Sequence, residues 1–277
     1  TGSRNTLRPE ENSLVEAQEA LGFSLHQANH IDKVIRKYSA RSLINDNQMA
    51  AITEELHIKT SDYESFDRIS EALGKLRDPL GFRLKQFLIL GILGGQGTTE
   101  EKALLLFEVY DESYSNEISE EELTKCVSDL LFVIVNCLGH LSKLQTVVSY
   151  ISLISKSIQR YKDFLKNCLK LSTPCTKQTF IDGWLHLEPI YLSATYIRQS
   201  MYQQAAKEGV QKIKAGATRM FSDLKREAAN QLNSQTRRSP LTQLKPSTAV
   251  KPSTEETLPE VSQQANESSS PDLRSTQ

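Results

Sequence analysis

The segment FEVYDESYSNEISEEEL, Phe107 to Leu123, most limits what this chain can fold into, because it sets two helical stretches on either side of a twelve-residue loop. A loop that closes on a cation needs oxygen ligands at positions 1, 3, 5, 7, 9 and 12, the seventh a backbone carbonyl and the last a bidentate glutamate. Counted from Asp111, Ser113 and Ser115 fall third and fifth, the Glu117 carbonyl seventh, Ser119 ninth and Glu122 twelfth. Ile118 stands eighth, while Phe107 and Tyr110 precede the loop where an entering helix turns its apolar side inward. Asn116 occupies the sixth position, where the sharp turn favours glycine, and asparagine tolerates positive φ better than most residues. Only Asp111 and Glu122 bring side-chain carboxylates, so calcium is bound weakly or not at all, since affinity follows ligand charge. Ser119 and Glu122 also fit a capping box, which starts the exiting helix without any metal.

Helical spacing of apolar residues runs from about Leu14 to Leu232, with few alternating β-branched stretches, and predicts an all-α fold. The expected helices cover 14–22, 25–38, 46–57, 61–75, 84–95, 99–110, 119–138, 142–170, 177–187 and 190–232. Five of the nine prolines fall between Pro240 and Pro271 and no aromatic residue follows Phe221, so the tail lacks the apolar groups that would offset its ordering entropy. The expected division is a flexible start (1–13), a degenerate helix–loop–helix pair (14–97), a second pair (98–189), a basic amphipathic helix (190–233) and a disordered tail (234–277).

With 33 basic and 34 acidic residues, the chain as a whole carries no electrostatic signal for nucleic acid or an acidic substrate. Cys126, Cys137, Cys168 and Cys175 lie in apolar or helical surroundings without dense spacing, which suits reduced cytosolic thiols. The apolar runs from Phe87 and from Leu130 are too short to span a bilayer, so the expectation is a cytoplasmic protein that is soluble or peripheral to a membrane. At the start of the chain, Gly2 meets the Gly-x-x-x-[Ser/Thr] requirement for myristoylation if Thr1 stands in place of an initiator methionine; a cloning remnant or chance is the alternative.

The helical part repeats weakly. Residues from Phe82 read as the end of a second loop, whose ligand positions hold Lys75, Arg77, Pro79 and Gln86 and so cannot take calcium. Stretches from Tyr38 and from Cys168 read as a shortened first loop and a fourth one, both without the needed carboxylates. One helix–loop–helix cannot bury its apolar face alone, so such loops persist as packing partners.

FLILGILGGQGTTEEKALLLFEVYD, Phe87 to Asp111, resembles the junction of the second and third EF-hands in neuronal calcium sensor and calcineurin B-like proteins. That resemblance implies two EF-hand lobes, a hydrophobic groove for a target helix and an acylated N-terminus. The same linker followed by FIDGWLHLEPIYLSATYI, Phe180 to Ile197, resembles the EF-hand-like N-terminal region of TLDc-domain proteins. This second likeness implies a lysosomal membrane and proton-pump context.

Gly91, Gly94, Gly95 and Gly97 lie between helices, where they read as a hinge, since no Gly-Lys-[Ser/Thr] follows to make a phosphate loop. Thr98 and Glu101 fit a capping box for the next helix. Cys137 and His140 share a helical face but lack the further ligands of a zinc site, and Trp184, at helical spacing from Phe180, reads as core. No nucleophile elbow or Cys/His signature is present in the sequence, which gives catalysis and a small-molecule substrate no support.

Between residues 190 and 232, Val210, Ile213, Ala217, Met220, Phe221 and Leu224 trace one apolar stripe, and seven basic side chains stand against three acidic ones. Lys207, Lys212, Lys214, Arg219, Phe221, Leu224, Lys225 and Arg226 are the candidate contact residues. Such a helix docks on its own body, lies on an anionic membrane or binds a partner. The reading as a whole is a non-enzymatic adaptor that takes an amphipathic helix in an apolar groove, with Asp111, Ser113, Ser115, Glu117 and Glu122 as the candidate calcium ligands. A peripheral membrane regulator acting through the basic helix is the alternative.

Overall fold

The computed structural model describes residues 7–39, 42–58, 63–169, 174–187 and 192–236. The fold is all-α, and its short strands serve only to pair loops. Eleven α-helices are named among these residues: α1 (Pro9–Glu19), α2 (Ala28–Tyr38), α3 (Asp46–Glu55), α4 (Tyr63–Gly74), α5 (Leu84–Gly94), α6 (Thr99–Tyr110), α7 (Glu120–Phe132), α8 (Gln145–Ser155), α9 (Ile158–Leu169), α10 (Lys177–His186) and α11 (Ala194–Thr236). The strands are β1 (Leu43–Ile44), β2 (Arg77–Asp78), β3 (Gly81–Arg83), β4 (Glu117–Ile118) and β5 (Cys175–Thr176). Among these residues, those up to Met220 form one compact unit and those from Phe221 to Thr236 belong to another.

Four helix–loop–helix units follow one another as α2–α3, α4–α5, α6–α7 and α9–α10, and their loops lie side by side in twos. β1 pairs antiparallel with β3, placing Ile44 opposite Phe82, and β4 pairs antiparallel with β5, placing Ile118 opposite Cys175. In the first pair of loops, β2 and β3 form a hairpin that brings Gly81 to φ 148°; a Cβ there would meet the Ile44 carbonyl oxygen at 2.6 Å. Only glycine allows that approach.

Local chemistry explains where the helices begin. Asn45 with Gln48, Thr98 with Glu101 and Ser119 with Glu122 each form a complete capping box, satisfying amides that the first turn leaves without partners. α1 starts at Pro9, inside the stretch expected to be flexible. Proline suits the first helical turn, and Glu10 and Glu11 favour its positive end. The long helix expected over 142–170 is broken at Lys156 and Ser157. There the Ser157 hydroxyl donates to the Ile154 carbonyl at 2.8 Å, competing with helix continuation. The fourth loop falls largely on residues 170–173, which lie outside the described ones, as do Gly2 and the tail beyond Thr236.

Three of the four clustered glycines sit at close contacts. A Cβ on Gly91 would meet Ile31 Cγ2 at 2.6 Å, one on Gly94 would meet Phe23 Cβ at 2.9 Å, and one on Gly95 would meet Ala28 Cα at 2.8 Å. These glycines let α2 and the turn before it press against α5. Gln96 then ties the junction down, its carbonyl accepting the Ala28 amide at 2.7 Å and its amide donating to the His26 carbonyl at 2.8 Å.

α7 continues through a π-turn, Val133–Cys137, and a 3₁₀ turn, Leu138–His140. Together Glu120–His140 is long and apolar enough to cross a bilayer by length and composition, although its unbroken apolar runs are short. Some 61% of its most apolar window is buried inside the fold, as in a core helix. Trp184 is likewise a core residue, edge-on to Phe180, whose ring in turn meets Phe107 at 5.6 Å.

Candidate functional site

The Asp111 loop is organised by one carboxylate. Asp111 is 5% exposed; its Oδ1 accepts the Ser115 amide at 2.9 Å and its Oδ2 the Asn116 amide at 2.9 Å. The hydroxyls of Ser113 and Ser115 approach Oδ1 at 3.4 and 3.3 Å, and the Ser115 hydroxyl also donates to the Glu117 carbonyl at 3.0 Å. Asn116 takes the left-handed conformation, φ 60°, as its position requires, and Tyr114 does so too at φ 55°. Phe107, Tyr110 and Ile118 all point into the core.

Glu122 stands apart from this cluster. Its Oε2 accepts the Ser119 amide at 2.7 Å and the Ser119 hydroxyl at 2.8 Å, closing the capping box. The structure therefore brings together Asp111, Ser113, Ser115 and the Glu117 carbonyl, and commits Glu122 to the helix start. Calcium takes six to eight oxygen ligands. As arranged, the Asp111 oxygens accept the loop's own amides and Glu122 Oε2 accepts from Ser119, so an arriving ion would compete with those bonds. No group of three or more His, Cys, Asp or Glu suited to a metal occurs among the described residues, Cys137 and His140 included. Cys137 instead donates its thiol to the Ala72 carbonyl at 3.2 Å.

Basic side chains of the protein itself tie down the second loop. Arg83 meets Asp78 at 2.6 Å and Arg77 meets Asp46 at 2.8 Å. The Arg83 hydrogen bond holds the Asp78 carboxyl below the usual carboxylate range. The second and third units are joined through Asp129, which accepts from Tyr110 Oη at 2.7 Å and from Gln86 Nε2 at 2.9 Å. Lys85 adds an ion pair to Glu112 at 2.6 Å.

The most strongly bonded polar cluster lies outside the loops. Glu11 of α1 and Arg198 of α11 are both 0% exposed and form a bidentate pair, Nε to Oε1 at 2.9 Å and Nη2 to Oε2 at 2.7 Å. Tyr150 of α8 donates to Glu11 Oε1 at 2.6 Å. The Gln18 amide oxygen, in the orientation that satisfies both groups, accepts from Arg198 Nη2 at 2.9 Å. The Arg8 guanidinium stands 4.0 Å from the centre of the Tyr202 ring, and that ring meets Tyr150 at 5.4 Å. Sequence reasoning missed this cluster. A glutamate in a helix's first turn and an arginine in a basic helix both read as solvent-facing.

The same stretch of α11 buries Ala194, Ile197 and Met201, with Leu192 just ahead of it. Among the candidate contact residues, Lys207, Lys214, Arg219, Phe221, Lys225 and Arg226 are exposed; the side chains of Lys212 and Leu224 lie outside the described ones. Met220 and Phe221 are 68% and 69% exposed. Comparison with protein-family models, with curated proteins and with solved structures finds no match to this chain.

Proposed function

We propose that this protein is a non-enzymatic, EF-hand-like regulatory adaptor whose body recognises an amphipathic helix through an apolar seat, with its loops held by their own hydrogen bonds and calcium bound weakly at most. The observation that carries this reading is the base of α11: Leu192, Ala194, Ile197 and Met201 are buried in the shared core. The body thus already accommodates an amphipathic helix, its own. Two pairs of loops lying side by side, only one of them with any acidic ligand pattern, support a scaffold role over an ion-driven switch.

The test is to unseat that helix in the full chain with Ile197→Asp and Met201→Asp and to titrate in a fluorescent peptide of residues 192–206. Saturable binding to the variant and none to the wild type is the expected result. An unseated variant that stays folded yet ignores the peptide would reject the reading.

A second reading has its own support. Phe221 is a large exposed apolar side chain on the same stretch as the exposed Lys225 and Arg226, a combination suited to an anionic membrane surface.

A further inference from the structure

α1 buries a single hydrophobic residue, Leu14, along its length. Its flank at Ser13, Glu16 and Ala17 borders an open cleft of ≈ 470 Å³, with Ala17 also touching the core. Beyond Leu14 and Ala17, the helix is held by polar contact: Glu11 and Gln18 on Arg198, and Arg8 stacked on Tyr202. Every hydrogen bond described for Arg198 goes to α1. A fully buried guanidinium that loses its carboxylate is an uncompensated charge in an apolar interior, and it does not stay there.

We propose that α1 is a latch on α11: when α1 leaves, the base of α11 leaves its seat with it, so that the two segments open as one cooperative unit. Nothing local joins them, since Glu11 and Arg198 lie 187 positions apart. The coupling runs through the Glu11–Arg198 ion pair, Gln18 on Arg198 and Arg8 on Tyr202, with the Tyr150 hydroxyl sharing the Glu11 carboxylate. The latch goes beyond the adaptor reading, because it fixes when the seat is free whatever then enters it. It gives control of a C-terminal contact surface to whatever binds or strains α1.

Hydrogen–deuterium exchange on the full chain tests the latch, comparing wild type with Glu11→Gln. Exchange across 194–202 is expected to rise together with that across 9–19 by at least about a hundredfold, the loss of one partner of a buried pair read as an opening equilibrium. Exchange in α5 is expected to stay at the wild-type rate. The double variant Glu11→Leu/Arg198→Met removes both charges and is expected to restore protection to both segments. Should Glu11→Gln unfold throughout, Arg8→Ala takes its place, because it weakens the hold of α1 while leaving the Glu11–Arg198 pair intact; both segments are then expected to rise by equal factors. Faster exchange confined to 9–19, with 194–202 unchanged in either variant, overturns the latch.

Discussion

Asp111 draws two backbone amides and two hydroxyls onto one carboxylate, so an arriving calcium ion must displace bonds the loop already makes. Glu122 would also have to abandon the amide and hydroxyl of Ser119. Calorimetric titration is therefore expected to give a Kd no tighter than about 10⁻⁴ M, the weak end for such loops, and Glu122→Gln to abolish the remaining heat. Micromolar binding that survives Glu122→Gln would place the ion elsewhere. At this scale some of the site was legible. Asn116 was read correctly because its left-handed conformation follows from its place in the loop, and the Ser119–Glu122 capping box because both partners lie within one turn. Tyr114 was not foreseen at positive φ, since tyrosine has no intrinsic preference for it. The Glu11–Arg198 pair left no trace in the sequence, because each charge finds its partner only in the finished fold.

Helices were recognised at the capped starts of α3, α6 and α7, but the proline and acidic residues that open α1 were passed over. Helices were also misjudged where a neighbour decides the outcome. The glycines of α5 suggested freedom, yet Ile31, Phe23 and Ala28 press so close that each glycine marks a fixed contact. For α11 the sequence predicted an amphipathic helix but not where it is covered. Its buried side chains cluster at the base, while Lys207, Arg219, Met220 and Phe221 lie open. If the open stretch meets an anionic surface, the full chain is expected to co-sediment with vesicles containing phosphatidylserine and not with phosphatidylcholine alone. Met220→Ser/Phe221→Ser is expected to weaken that partition by about one to two orders of magnitude, as the loss of two buried apolar side chains implies. Undiminished sedimentation of that variant would remove the open stretch from the membrane role.

Across the whole molecule, burial raises a set of weak acids together. Cys137 is pushed up to about 12 and Cys126 well above the ordinary thiol value, and the phenols of Tyr110, Tyr150 and Tyr161 rise as well, chiefly by desolvation. In the unfolded chain thiols ionise near pH 8.5 and phenols near pH 10. Their contribution is intact below those values. As pH rises through them, the unfolded chain releases protons that the folded one keeps, and stability falls by up to about 1.4 kcal/mol per pH unit for each lagging group. Thermal melting is thus expected to hold steady to about pH 8.5 and then decline, more steeply past about pH 10. A Tm unchanged to about pH 11 would contradict the burial of these groups.

The 187 positions between Glu11 and Arg198 also set an order of events during synthesis. A ribosome adding about 5–20 residues each second completes α1 and then needs about 10–40 s before Arg198 is made. Throughout that interval Glu11 lacks the arginine it pairs with in the finished fold, and the seat of α11 stays empty once the body around it has been made. A transcript cut short ahead of α11 would leave its product in that state for good.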